Sequence, residues 1–469
     1  MMVDWPMAMG KRRGRQRQEE LWVPSSHLVQ SAGHVFYNRL NAVLATHRFD
    51  GRVEQLCRRF YKGPRGQPSL PPGVYFRCLL IGFFEGLDSE RGIAWRVADS
   101  LSLRQFLGYG IDEQTPDHST LSRTRRLFWL STHRVVFRWV LRVLRAEGLL
   151  RGKTIAIDAT TLEANAAMRS IVRRDTGEAY DAYLKRLLAA AGIEEPTREQ
   201  LARFDRKRKK KGSNREWRHP HDPDARITKM KDGRTHLAHK AEHAVDVSSG
   251  ALLAVELHPA DAGDTTTGLD TLTAAQRVAR AVIGRAIQDA VLDKGYHSSA
   301  VVVAVEQRHI RSYISEPQRG RRRWKDQAAE QRQVYANRRR IRGPRNKRLQ
   351  AQRAEFCERS NAHLYETGGM RRVHLRGREN ILKRLLIHAA AFNLALVMRR
   401  RYRVGTPRGL QGHPKALRGH VPPIPRRLRA LRIALRRVHR SDFFTLRSLR
   451  TSASPTSPRA RTVVSTTGC

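Results

Sequence analysis

Between residues 153 and 315 the chain changes its apolar period in a fixed order, and that order restricts the fold more than any other feature. Lys153 to Ala159 is a short apolar run of strand character. Two alternating runs follow, His236 to Val247 and Ala251 to Leu257, with Ser248-Ser249-Gly250 as the turn between them. Helical spacing covers Thr265 to Val282, a strand pattern Ile287 to Asp293, a helical one Ser298 to Gln307, and a short strand Ser312 to Ser315. Strand, hairpin, helix, strand, helix, strand predicts an α/β domain on a mixed sheet.

Two of these strands end on acids. Asp158 closes the run Thr154-Ile155-Ala156-Ile157, and Asp293 closes Ala290-Val291-Leu292. Glu358 follows on a predicted helix in Phe356-Cys357-Glu358-Arg359. A single Asp after an apolar strand is more often a turn or cap residue, and Asp246, Asp261 and Asp264 are rival acids. Three carboxylates meeting in space have another use. Hard oxygen ligands suit Mg²⁺, and two such ions roughly 3.5–4 Å apart activate one oxygen and stabilise another in phosphoryl transfer. His236, His239 and His243 invite a zinc reading, but alternation along a strand keeps all three from sharing a face.

The charge balance names the partner. Of 469 residues, 90 are Lys or Arg and 43 Asp or Glu, a formal net charge of +47. So large an excess repels itself unless a polyanion neutralises it, which points to nucleic acid and leaves an anionic membrane surface as competitor. No apolar run reaches the roughly 18 residues of a membrane span, and Met1 to Gly10 lacks a signal-peptide core. The expectation is a soluble, cytoplasmic protein. Charge alone also fits a nucleic-acid packing protein. With 40% hydrophobic residues the chain has enough for a core. Cys57, Cys78, Cys357 and Cys469 show no CxxC spacing, which fits a reducing compartment.

Around this α/β unit the organisation reads as a basic arm at 1–20, a helical region at 21–135, the α/β domain at 150–403, and a basic tail at 404–469. In the helical region Pro71-Pro72, Ser89-Glu90-Arg91 and Pro116-Asp117 are helix starts. Arg123, Arg125 and Arg126 crowd the helix after Asp117, as in a helix-turn-helix-like unit that lays Arg against phosphates; a bundle with solvent-facing Arg is the other reading. The α/β domain carries a helical insertion at about 177–230, whose run Arg206 to Lys211 is a backbone-contacting patch or a solvated linker. A second insertion, at about 318–353, is basic and poor in apolar residues and is expected to be exposed. From Glu379 to Arg400 a helix carries an apolar stripe through Leu382, Leu385, Leu386, Ala389, Phe392, Asn393 and Leu396, expected to pack in the core.

Six segments carry a resemblance: "PSLPPGVYFRCLLIGFFEGLDSERGIAWRVADSLSLRQFL", "TPDHSTLSRTR", "IAIDATTLEANAA", "HLAHKAEHAVD", "AVLDKGYHS" and "CERSNAHLYETGGMRRVHLRGRENI". Over Leu21 to about Arg403 the chain resembles insertion-sequence transposases of the DDE type, near the IS1182 group within the IS5/IS4 assemblage. The resemblance implies an RNase H-like mixed-sheet catalytic core preceded by an all-helical N-terminal DNA-binding domain. It implies Mg²⁺-dependent strand cleavage and strand transfer, with two ions expected and Mn²⁺ able to substitute. It places the metal-holding catalytic acids on Asp158, Asp293 and Glu358, with Lys240, Arg353 and Arg359 joining Arg123, Arg125 and Arg126 as DNA contacts. The implied partners are double-stranded DNA, as terminal inverted repeats and target, and a second copy of the chain on paired ends, with no membrane. One departure is visible: Tyr365 stands where related transposases often carry a Lys seven residues after the Glu. The alternative is a catalytically inactive DNA-binding derivative.

Overall fold

The computed structural model describes residues 31–61, 69–208, 212–230, 232–318, 320 and 323–410. The arm expected at 1–20, residues Lys209 to Lys211, and the expected tail beyond Leu410 lie outside them. The described residues all belong to one compact unit, Met1–Pro414.

Seven helices come first: α1 (Ala32–Thr46), α2 (Phe49–Cys57), α3 (Pro72–Glu85), α4 (Glu90–Asp99), α5 (Leu101–Leu107), α6 (His118–Leu127) and α7 (Leu130–Ala146). Their starts follow the local chemistry. Pro72 occupies the first turn of α3, where its missing N–H costs nothing. Ser89 Oγ accepts from the Gly92 amide (3.1 Å) to open α4, and Asp117 Oδ1 accepts from the Ser119 amide (2.7 Å) to open α6. α3 ends at Gly86, whose φ of +70° closes the helix at no steric cost.

The α/β part then runs β1 (Thr154–Glu163), β2 (Val172–Arg173), α8 (Tyr180–Ala189), α9 (Arg198–Lys207), β3 (Trp217–Arg218), β4 (Arg226–Lys229), β5 (Thr235–Asp246), β6 (Leu252–Pro259), α10 (Asp264–Val278), β7 (Asp289–Leu292), α11 (Ser299–Gln307), β8 (Arg311–Ile314), α12 (Ala328–Arg342), α13 (Pro344–Asn361) and α14 (Arg378–Tyr402). The main sheet has the order β4-β5-β1-β7-β8, with β6 also paired to β5. β5 lies antiparallel to β1 and to β6, while β1, β7 and β8 run parallel. The mixed sheet expected from the periodicity is therefore present. The span 177–230, expected as a helical insertion, holds α8 and α9 but also β3 and β4, and β4 pairs with β5 in the main sheet; a small core of Ala164, Ile171, Trp217, Ala225 and Leu237 lies there.

The outer strands share one device. Asn393 of α14 accepts from the Leu252 amide and donates to its carbonyl, both at 2.9 Å, on β6. Asn337 of α12 does the same to Ile314 of β8 (3.1 and 2.9 Å), and Asn214 to Ile227 of β4 (2.7 and 2.9 Å). A carboxamide carries one acceptor and a donor in the geometry of a peptide group, so it occupies a strand edge as a neighbouring strand does.

Two expectations are corrected. The segment 318–353 is not wholly an exposed insertion: it holds α12 and the first half of α13. α12 packs on α11 and β8 through the buried Val334 and Asn337. Its many arginines hid a narrow apolar contact that is enough to dock a helix. The stripe expected on α14 is in fact buried on every side from Ile381 to Ala395, because the helix lies among α3, α7 and β6. That burial takes in Lys383, Arg384 and His388. The segment Arg378–Leu410 is also long and apolar enough to cross a membrane by length and composition, contrary to the reading of the sequence, but 94% of its apolar window is buried inside the protein.

Candidate functional site

The register between β1 and β7 brings the two aspartates abreast. Thr154, Ile155 and Ala156 pair in parallel with Asp289, Ala290 and Val291. Two residues further along that register stand Asp158 and Asp293, on strands roughly 4.8 Å apart. Alternation puts Thr154, Ala156 and Asp158 on one face together with Asp289, Val291 and Asp293. The contacts agree: Thr154 Oγ1 donates to Asp289 Oδ2 (3.0 Å), and Arg345 of α13 reaches the same oxygen (2.7 Å).

α13 crosses this face. Gln350 Nε2 donates to the carbonyls of Leu292 (3.2 Å) and Tyr313 (3.1 Å), which ties the helix to the ends of β7 and β8. Arg353 Nη1 stands 3.5 Å from Asp158 Oδ1, and Asn361 Nδ2 donates to Asp158 Oδ2 at 3.3 Å. Glu358 lies one turn before Asn361, exposed, on the flank of the helix next to it. Between them the Cys357 thiol is buried. Burial pushes its pKa up, and the carboxylates of Asp158, Asp293 and Glu358 push it the same way against Arg353.

Asp293 stands just past Leu292, the last residue of β7, and its Oδ1 accepts from the Gly295 amide (2.8 Å); Asp158, expected to close its strand, lies in mid-strand instead, because pairing with β5 carries β1 on to Glu163. A β-carbon on Gly295 would sit 2.8 Å from Asp264 Oδ2 and 3.2 Å from Asp293 Oδ1, so a larger residue there would have to displace these two carboxylates. Among the described residues no three of His, Cys, Asp and Glu stand close enough to hold a metal ion as they are. Asp158 and Asp293 stand side by side across β1 and β7, with the helix that bears Glu358 over them, and the three are not drawn into a cage.

The opposite face of the sheet holds a site that the sequence did not announce. Glu242 of β5 is fully buried and accepts from Thr267 (2.9 Å), Thr271 and Tyr296 (2.8 Å). Its only signal is a charged pair, Lys240 and Glu242, inside an apolar strand. Lys240, expected to meet DNA, is buried here instead: its Nζ bonds Asp264 (2.5 Å), Thr267 (2.8 Å) and the Ala262 carbonyl (3.2 Å). The strand's inward residues pair with α10 before anything outside can reach them. Of the rival acids, Asp246 caps Arg151, Gly152 and Ser248, and Asp261 stands 3.7 Å from Arg226. The histidines go separate ways, His236 to Asp232, His239 to Asp222 and His243 to Tyr365. Tyr365, at the position of the missing Lys, is buried on His243 (2.5 Å) with Arg371 over its ring.

The arginines divide likewise. Arg123 and Arg126 of α6 are exposed, but Arg125 turns inward and holds Glu90 of α4 at 2.7 and 3.4 Å, both side chains 9% exposed. Arg125 is therefore a strut between helices, not a solvent-facing contact. Arg359 pairs with Glu355 and lies over Phe356.

Comparison with protein families gives two matches. Residues 23–127 match the model described as Transposase domain (DUF772), and residues 152–394 match the Transposase DDE domain. No curated protein and no solved structure matches the chain. The second match covers more than half of the chain and spans all three acids. The chain belongs to the DDE transposases, enzymes that cut and join DNA, in the architecture of the IS1182 type.

Proposed function

We propose that this protein binds the ends of an insertion sequence and catalyses strand cleavage and strand transfer with Asp158, Asp293 and Glu358 as its catalytic residues. The parallel register that sets Asp158 of β1 beside Asp293, just past β7, with α13 and its Glu358 crossing the same face, carries the reading. The sheet order, three antiparallel strands continued by two parallel ones, supports an RNase H-like core.

The donor set suits a hard divalent cation such as Mg²⁺ or Mn²⁺, since all three ligands are carboxylates. The present neighbours of Asp158 are a guanidinium and an amide, groups that a carboxylate takes when positive charge is favoured at that point. When bound, paired ions activate a water or a 3′-hydroxyl and stabilise the leaving oxygen. The chain's own part is to hold them and to orient the DNA. Asp158 and Asp293 are fixed by the sheet, Asp293 further by the Gly295 amide, and Glu358 by a helix bolted to β7 and β8 through Gln350. Arg353 is placed to bind a phosphate next to the scissile one. Arg123 and Arg126 offer an exposed basic face on the N-terminal helices for the element ends, with one chain on each of two paired ends.

The test is nicking of a supercoiled plasmid bearing the cognate inverted repeats, with and without Mg²⁺. Asp158→Asn, Asp293→Asn and Glu358→Gln are each expected to lower nicking by about 10²–10³-fold, the scale of losing one main electrostatic stabiliser, while retardation of the same DNA persists. Wild-type nicking by Asp158→Asn overturns the assignment.

A further inference from the structure

β6 is the edge strand beyond β5, two strands and so roughly 10 Å from β1. Along it runs a cleft of about 620 Å³ walled by α7, α10 and the start of α14. Arg134 and Arg138 enter from α7, Arg277 from α10 and Arg378 from α14. Glu256 cancels Arg134, which it holds with two bonds of 2.7 and 2.8 Å. Among the described residues no carboxylate pairs with the side chains of Arg138, Arg277 or Arg378, and Asp270 is the one other acid that lines the cleft.

Three guanidinium groups facing one open cavity repel each other weakly through water, and an anion between them turns that repulsion into attraction and gains more from each of them than from a lone surface arginine. One helix end favours the anion: α7 begins at the cleft with Ser131, and its first turn carries neither an acidic residue nor a side-chain cap from Trp129 to offset its positive end. The acids of the candidate active site do not reach here: they lie over β1 and β7, on the face that α13 covers.

We propose that this cleft is a second DNA-backbone site, which takes phosphates of a duplex segment other than the one at the acids. The nature of the anion rests on the transposase reading; the cleft itself does not. A protein that joins one DNA to another must hold both, and a groove at the far edge of the sheet gives the second segment its own positive surface.

The experiment measures binding of the full chain to labelled duplexes, one with the element ends and one of random sequence, between about 50 and 200 mM salt. Arg138→Ala/Arg277→Ala is expected to flatten the slope of log Kd against log salt by about 2, close to one unit for each phosphate that the protein no longer neutralises. Both duplexes should be affected alike, because backbone binding carries no sequence information. Arg138→Lys/Arg277→Lys should keep the slope. If the double Ala variant fails to fold, Arg378→Ala, at the exposed first residue of α14, should flatten it by about 1. An unchanged slope in a variant with unaltered thermal melting overturns the proposal, and so does an arginine-dependent slope seen with single-stranded RNA but not with duplex DNA. Loss of Mg²⁺-dependent nicking in the wild type would sink the catalytic assignment and leave this slope difference standing.

Discussion

Asn393→Ala tests the clamp between α14 and the edge strand β6. Asn393 is fully buried and makes two 2.9 Å bonds to the backbone of Leu252, at the start of edge strand β6. Removing the carboxamide leaves one N–H and one C=O with no partner inside the protein. Each orphaned group costs about 1–3 kcal/mol, so the variant should lose about 2–6 kcal/mol. Asn393→Asp should be no milder: its Oδ1 still accepts, but a second oxygen faces the Leu252 carbonyl. Asn337→Ala, at the opposite edge on Ile314, should cost a similar amount, and the two should add because they share no neighbours. Urea unfolding read by circular dichroism measures this as a fall in midpoint at constant slope. A loss under about 0.5 kcal/mol for Asn393→Ala refutes the argument, since it means that water or a shifted helix satisfies the strand edge.

Two further outcomes follow from buried groups. Burial holds His133 and His243 neutral, with pKa values lowered to about 3, and holds His388 well below its ordinary value. Protons therefore bind the unfolded chain first: the stability these residues contribute is complete above about pH 6.5 and drains as pH falls toward 3. Three such residues give about 4 kcal/mol per pH unit near pH 5.5, measurable as a steep drop in urea midpoint below pH 6.5 that His133→Asn lessens. Arg125→Ala should cost about 3–5 kcal/mol by leaving Glu90 buried and unpaired. Arg126→Ala, one residue on and exposed, should leave the urea midpoint unchanged and weaken DNA binding; equal midpoints for the two variants would refute the inward assignment of Arg125.

Much of the architecture was legible from local chemistry. Helix starts at Pro72, Glu90 and His118 were readable because proline, serine and aspartate satisfy the first amides within a few residues. The β5–β6 hairpin was readable because alternation and the Ser248-Ser249-Gly250 turn are both short-range. So were the elements bearing Asp158, Asp293 and Glu358. The helix content of 318–353 was not, because one Val and one Asn dock α12, too few apolar residues to set a period.

Sequence by itself determined most of the elements, the sign of the net charge and the placing of Asp158 and Asp293 on or beside two strands, since these depend on neighbours along the chain. Only the tertiary structure decided which charged side chains are available. Arg125 and Arg126 are adjacent in sequence, yet one is locked to Glu90 and the other faces solvent. Lys240 and Arg353 are both cations near carboxylates, yet one is sealed under α10 and the other stands beside Asp158. The packing of α6 on α4, of α10 on β5 and of α13 on β1 made those choices, through contacts between residues far apart in the chain, whose pairing no local pattern records.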